Sequence, residues 1–420
     1  MKVANAIALV SGAELPVEFT AYDGSHSGVP GSDVRLEVRS PRAVSMFLSS
    51  PGELGLARAY VAGELDVVGD MYAALSRLET FNMDHLSLRT KARLFRDFAP
   101  LALRREPPPP EEIRLRGRRH SKHRDADAIS HHYDVSNRFY GWVLGPTMAY
   151  TCAVFPTPDA SLEEAQEEKF DLVCRKLGLK PGMRLLDVGC GWGGMVLHAV
   201  KNYGVTAIGA TLSAQQAEWG QRALADAGLE GSAQIRHCDY REVSETGFDA
   251  VSSIGLTEHI GRANLPAYFA FLRSKLRPEG RLLNHCITRP TNTENAQAGK
   301  FINRYVFPDG ELEGVGTLIT TMEDNGLEVR HSENLREHYA LTLREWGRNL
   351  EDRWSEAVDE VGEGKARVWR LYMAASRLGF ERNRIQLHQV LGVHTEGEIG
   401  SSGVPLRLGF DREGPAGGRR

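Results

Sequence analysis

The stretch Leu185-Leu-Asp-Val-Gly189-Cys-Gly191-Trp-Gly193-Gly194 constrains this chain more than any other. A hydrophobic run that reads as a strand meets a cluster of glycines, and a helical pattern begins at once behind them. Glycines let the backbone turn tightly and approach a ligand closely, while the helix start presents unpaired N–H groups. A turn that only packs a helix on a strand needs fewer glycines, so the loop is read as a ligand cradle. Gly189, Gly191 and Gly194 also satisfy the G-x-G-x-x-G dinucleotide pattern, which calls for an acidic residue about 20 positions on to hold ribose hydroxyls. Here the next strand ends Gly209-Ala-Thr211-Leu-Ser213, with Gln215 and Gln216 behind it and no carboxylate.

Around the loop, strand and helix patterns alternate. Arg184–Val188, Val205–Thr211, Gln234–Cys238, Phe248–Ile254 and Arg281–Ile287 read as strands, and Gly193–Tyr203, Ser213–Ala227 and Leu265–Leu276 as helices. Such alternation predicts an α/β, Rossmann-like domain with a mostly parallel sheet covered on both faces. Helical patterns at Leu343–Val361 and Lys365–Phe380 are expected to close it. Residues 1–105 mix short strands (Val17–Tyr22, Val34–Val38) with helices (Pro41–Leu48, Leu54–Val61), which predicts a smaller α+β N-terminal domain. Its last element, Leu86–Leu103, repeats Leu94, Phe95, Phe98, Leu101 and Ala102 at helical spacing between charges, an amphipathic helix. Pro107–Pro110 then breaks the pattern as a stiff spacer, and Arg114, Arg116, Arg118, Arg119, Lys122 and Arg124 follow with His120 and His123. Residues 106–125 are therefore read as a linker, 126–400 as the main domain and 401–420, rich in Gly, Pro and charge, as a loose tail.

Composition removes several function classes. The formal net charge of −4 predicts no general affinity for nucleic acid. Cys152, Cys174, Cys190, Cys238 and Cys286 are odd in number and form no C-x-x-C pair, which argues against a disulfide framework or zinc site and for a reducing compartment. Val3–Val10 is too short and too interrupted for a signal peptide and is read as the first core element. No apolar run reaches the ~18 residues that span a bilayer. The expectation is a soluble, cytoplasmic protein; if it uses lipid, it must visit the inner membrane surface.

Asp187, just before the glycines, fits the acidic strand end of methyltransferases, with Asp239 near the adenine edge of a later strand. Further motifs follow in a fixed order: His131-His-Tyr-Asp-Val-Ser-Asn137, Thr147-Met-Ala-Tyr-Thr-Cys152, Thr211-Leu-Ser-Ala-Gln-Gln216, Ser253-Ile-Gly-Leu-Thr-Glu-His259, Leu282-Leu-Asn-His-Cys-Ile287, Phe301-Ile-Asn-Arg-Tyr-Val-Phe-Pro308 and His338-Tyr339. With them the chain resembles the cyclopropane-fatty-acyl-phospholipid synthases, the mycolic-acid cyclopropane synthases and their methyl-branching relatives. The resemblance is dense from His131 to Val390, and the first 110 residues look like the accessory domain of the longer, phospholipid-acting members.

The resemblance implies a class I S-adenosylmethionine (SAM)-dependent methyltransferase acting on the cis double bond of an unsaturated phospholipid, in a homodimer. It implies that the donor touches Tyr150, Thr151, Asp187, Gly189, Gly191, Thr211, Gln216, Asp239 and Tyr240. A bicarbonate ion would act as base, held by Cys152, Glu258, His285, the backbone of Ile287 and Tyr339, and no metal is implied. The chemistry suits these residues: methylation of an alkene leaves a carbocation, which calls for a dry pocket with aromatic faces and a small anion to take a proton. Phe139, Tyr140, Trp142, Phe155, Phe301, Tyr305 and Phe307 could supply the walls, or simply pack. Leu256-Thr257 stands where cyclopropane synthases carry an aromatic, and Asn284-His-Cys286 and Thr288-Arg-Pro290 look more like the branch making 10-methylene acyl chains. A 10-methylene product is preferred here over a cyclopropane. Two rivals stay open: a methyltransferase of a small soluble acceptor, and an inactive lipid-binding protein.

Overall fold

The computed structural model describes residues 1–11, 15–79, 87–104, 106–113, 136–292, 299–395 and 404–410. The basic run from Arg114, residues 131–135 of the first motif and most of the expected tail lie outside them. The chain divides into two compact units, each built from separated segments.

The first unit gathers Met1–Arg116, Ala298–Pro308 and Leu343–Arg382. Strands β1 (Glu18–Ala21), β2 (His26–Gly28), β3 (Arg35–Val38) and β4 (Leu65–Val68) form a sheet in the order β2-β1-β3-β4, with β1 parallel to β3 and the other pairs antiparallel. Phe19, Met46, Ala59 and Phe98 centre one apolar cluster, and Tyr60, Val67, Met71 and Ala74 another. The late helix Glu363–Glu381 packs here, whereas the sequence reading placed it with the main domain. Its Ala374 joins the Tyr60 cluster, and Arg367 donates to the Tyr60 carbonyl at 3.3 Å and to Asp66 at 3.0 Å. Arg367 is thereby buried against β4 and its neighbours. The single helix expected over Leu343–Val361 is two, Arg336–Asp352 and Trp354–Val361.

The second unit holds Gly117–Gln297, Asp309–Thr342 and Asn383–Arg420. Its strands are β5 (Arg184–Val188), β6 (Thr206–Thr211), β7 (Ala233–His237), β8 (Phe248–Ile254), β9 (Leu276–Thr288), β10 (Leu327–Asn334) and β11 (Gln386–His394). They lie in the order β10-β11-β9-β8-β5-β6-β7, parallel throughout except that β11 is antiparallel to both its neighbours. The chain leaves β5 toward β6 on one side and returns to β8 on the other, and ligands collect at such a switch point.

Neither β10 nor β11 is legible in the sequence, because β10 carries Glu328, Arg330 and Glu333 with only Leu327 and Val329 apolar, and β11 carries His388, Gln389 and His394 among its apolar residues. The helix Leu162–Leu177 also escapes a periodicity reading under its many charges. Its ends are nonetheless well marked: Ser161 and Glu164 make a reciprocal capping box, and Gly178 closes it in the left-handed region. Lys169 and Lys176, two turns apart and so on one face, are both buried with Phe170, Val173 and Leu177.

The helix Ala214–Asp226 approaches the glycine loop closely. A Cβ at Gly220 would lie 2.8 Å from the Trp192 carbonyl oxygen, whereas one at Gly347 in the helix Arg336–Asp352 meets nothing within 4 Å. Alanine is favoured over glycine by about 0.8–1.0 kcal/mol in a helix interior. Gly347→Ala is therefore expected to stabilise by about that amount in thermal or urea unfolding, and Gly220→Ala to destabilise despite the same helical preference.

Candidate active site

At the carboxyl ends of β5, β6 and β8 the glycine loop bounds two adjoining hollows. The larger, of about 330 Å³, is lined by Gly189, Thr211, Gln216, Asp239 and Tyr240, and also by His259. The smaller, of about 80 Å³, is lined by Tyr150, Thr151, Lys169, Asp187 and Cys190. Gly189, Gly191, Gln216 and Gly255 border both. Every residue expected to hold the donor thus lines one hollow or the other.

Local bonding fixes these side chains. Thr211 Oγ1 donates to Gln216 Oε1 at 2.7 Å and accepts from the Ser213 amide, and Ser213 in turn caps the helix that carries Gln216. Asp239 Oδ1 accepts from the Arg241 amide at 2.9 Å and from Arg241 Nε at 2.7 Å, pinning the turn that presents Tyr240. Asp187 Oδ1 accepts from Ser252 Oγ at 2.6 Å, and burial pushes its carboxyl up to about 7. Cys190 is a packing residue: a Cβ at Gly209 would lie 2.9 Å from its sulfur.

Lys169 is the member that sequence reasoning missed. Its ammonium donates to Thr151 Oγ1 at 3.0 Å and lies 3.6 Å from the centre of the Phe170 ring. Burial lowers it to about 7, against the attraction of Asp187. The only hint in the sequence is its spacing from Lys176.

A second group of polar atoms adjoins the small hollow. Gly255, at φ +75°, donates its amide to the His285 carbonyl at 2.8 Å, and a Cβ there would stand 3.1 Å from Thr151 Cγ2. Glu258 sits on the short helical turn Thr257–His259, just past β8. Its Oε1 accepts from the Ile287 amide at 2.7 Å, while Oε2 is buried and has no hydrogen-bond partner among the described residues. The Ile287 amide thus orients Glu258. Burial raises the Glu258 carboxyl to about 7.

His285, on β9, is fully buried. Its Nδ1 lies 3.2 Å from Gln389 Nε2, and its Nε2 likewise has no partner among the described residues. Burial, with the charges of Lys169 and Lys176, holds the ring far below the ordinary histidine range, so it is neutral. Cys152 is fully buried and its thiol is pushed well above its usual range by desolvation. Its segment is tied to the residues that carry Tyr339: the Ala153 amide donates to Thr342 Oγ1, and the Phe155 amide to His338 Nδ1, each at 3.0 Å. Of the expected aromatic walls, Phe139, Tyr140, Trp142 and Phe155 fall in this second unit, and Phe301, Tyr305 and Phe307 in the first.

The sheet order, the glycine loop at its switch point and the two-lobed hollow define a class I SAM-dependent methyltransferase. The comparisons narrow the class. The family model for mycolic acid cyclopropane synthetase matches residues 120–390. A probable fatty acid methyltransferase of Mycobacterium tuberculosis is 56% identical over 403 residues, covering 93% of this chain and 94% of that one. The cyclopropane-fatty-acyl-phospholipid synthase of Escherichia coli is 32% identical, covering 87% of this chain and 88% of that one. Among solved structures, the mycolic acid cyclopropane synthase CmaA1 complexed with SAH and CTAB matches at a TM-score of 0.60 and 33% identity, over 64% of this chain and 98% of that one. The chain belongs to the mycolic acid cyclopropane synthetase family, as a SAM-dependent methyltransferase of the cyclopropane fatty acid synthase type.

The buried carboxyl makes a prediction. Because folding raises Glu258 from 4.5 to about 7, it contributes stability that is present below pH 4.5 and lost as pH rises through 7. Glu258→Gln keeps an acceptor for the Ile287 amide and removes the titration. In the ligand-free protein the variant is expected to match the parent near pH 4.5 and to exceed it above pH 7 by up to about 3 kcal/mol, read from unfolding curves across pH.

Proposed function

We propose that this enzyme transfers the methyl group of SAM to the cis double bond of an unsaturated phospholipid acyl chain at the inner face of the membrane. The observation that carries the reading is the pair of buried, unpartnered atoms, Glu258 Oε2 and His285 Nε2. Buried polar atoms are rarely left without partners, and each such atom costs roughly 1–3 kcal/mol. An unpartnered carboxylate oxygen and an unpartnered ring nitrogen, both buried, suit a ligand that both donates and accepts, as hydrogencarbonate does with one hydroxyl and two further oxygens. Glu258, His285, Cys152 and Tyr339 would hold it. When bound, the ion supplies a small base for the proton that methylation leaves behind.

The acyl double bond supplies the electron pair for the new C–C bond, and the S–CH3 bond breaks with its electrons left on sulfur. Positive charge then resides on the acyl chain. The protein's contribution is to exclude competing nucleophiles. Burial keeps the Cys152 thiol protonated, and so a poor nucleophile toward the sulfonium methyl. The exclusion of water protects the cation.

The 56% identical fatty acid methyltransferase supports an acyl acceptor over a small soluble one. Leu256, which lines the larger hollow and would touch a Cβ at Gly189 at 3.1 Å, is aliphatic where the resemblance to cyclopropane synthases implies an aromatic. The preferred product is therefore the 10-methylene chain. Lipid contact by the first unit is part of the same proposal. An apolar cavity of about 480 Å³ there is lined by Val3, Ile7, Val38, Leu94 and Phe98, with Lys91 the only charged wall among the described residues. The helix Leu88–Ala102 exposes Arg89, Lys91, Arg93 and Arg96 beside an exposed Leu88. Such cations are worth about 1 kcal/mol each near an anionic surface.

Incubation with oleoyl phospholipid and SAM is expected to give olefinic exo-methylene protons in the NMR spectrum of the product methyl esters; upfield ring protons would reverse the product assignment. Glu258→Ala combined with His285→Ala is expected to lower kcat at least 1,000-fold while SAM affinity by calorimetry stays within threefold. Full turnover by that variant would remove the anion site.

A further inference from the structure

Behind His285 three side chains run through the second unit with no role in the reaction above. Gln389 on β11 and Lys176 on the helix Leu162–Leu177 are both fully buried. Lys176 Nζ donates to Gln389 Oε1 at 2.7 Å and to the half-exposed Glu333 on β10. Gln389 Nε2 then faces His285 Nδ1 at 3.2 Å. The pairing of β11 with β9 sets Gln389 directly opposite His285, so the contact is built into the sheet register.

The direction of every bond in this run is fixed from the lysine end. An ammonium has three donors and no acceptor. The Gln389 atom that meets it must be the carbonyl oxygen, which turns the amide NH2 toward the imidazole. An NH2 group only donates, so Nδ1 must accept and carry no proton. The neutral ring then keeps its one proton on Nε2, the buried atom without a partner.

We propose that Lys176 and Gln389 are positioning residues that lock His285 as its Nε2–H tautomer, so that the ring presents a donor to an anion beside Glu258. The inference rests on the anion site proposed above. Without the lysine the amide is free to reverse, its oxygen accepts a hydrogen bond from Nδ1–H, and Nε2 becomes a lone pair aimed at the anion. Donor and acceptor are exchanged with no change of shape.

The test is imidazole-15N-labelled protein, with the His285 signals assigned by their loss in His285→Ala. In the parent, long-range 1H–15N spectra are expected to show a bare Nδ1 and a protonated Nε2. Gln389→Glu, which offers Nδ1 only acceptors, should move the proton to Nδ1, and Lys176→Met should populate both forms. Lys176→Arg, still a pure donor, should keep the parental pattern. With the switch, kcat should fall at least tenfold, and the hydrogencarbonate concentration for half-maximal rate should rise at least tenfold, while the KM for SAM stays within twofold. A parent ring protonated on Nδ1, or Gln389→Glu retaining Nε2–H and full turnover, overturns the lock. If the lock is found but added hydrogencarbonate moves neither the Nε2–H signal nor the rate, the anion reading fails and the tautomer assignment stands.

Discussion

The hydrogen bond from the Ile287 amide to Glu258 Oε1 fastens the carboxylate on which the rest of this site depends. It reaches from β9 to the turn after β8, and it fixes one carboxylate oxygen so that the other must face inward. A carboxylate in water would gain little from a single amide. Here the group is stripped of water, one bond cannot repay that loss, and the carboxyl rises to about 7. The same desolvation drives His285 the opposite way, toward the neutral ring. Both groups are thereby poised to be completed by a ligand, and neither is neutralised by the other.

The donor half follows a different logic. Thr211, Gln216 and Asp239 are each satisfied locally, through Ser213 and Arg241, before any ligand arrives. Such a cradle is preorganised and pays little to order itself on binding. Lys169 bridges the halves: it holds Thr151 by a hydrogen bond and acts electrostatically on Asp187, Cys152 and His285.

Much of this was legible in the sequence where a local rule was strong. The glycine loop specified β5, the helix behind it and the donor hollow, and β5 and β8 begin and end where hydrophobic runs predict. Of the candidates named from the sequence, Glu258 lies just past β8 and His285 within β9. What escaped depends on burying residues that periodicity treats as surface. Gln389 and Lys176 are polar residues on a strand and a charged helix, yet they lie in the interior, where Lys176 donates to the Gln389 carbonyl oxygen. Arg367 escaped in the same way, since only the fold supplies the Tyr60 carbonyl and Asp66 that permit its burial. Pairing partners far apart in sequence leave no local trace, and the division of the chain into interleaved segments follows from them.

The electrostatic load of the second unit gives these buried residues a common purpose. A sulfonium donor and, in the proposed reaction, a later carbocation are both positive, so permanent cations near them would oppose catalysis. Lys169 is already lowered to about 7 and can shed its proton at modest cost, whereas Lys176 keeps its counterion Glu333 at the solvent edge. Gln389 places a neutral amide between Lys176 and the imidazole. It transmits the lysine's directionality to His285 as a hydrogen-bond polarity without bringing the charge itself into contact with the ring. A lysine bonded straight to Nδ1 would fix the same tautomer but would set a full positive charge one residue from the reacting carbon.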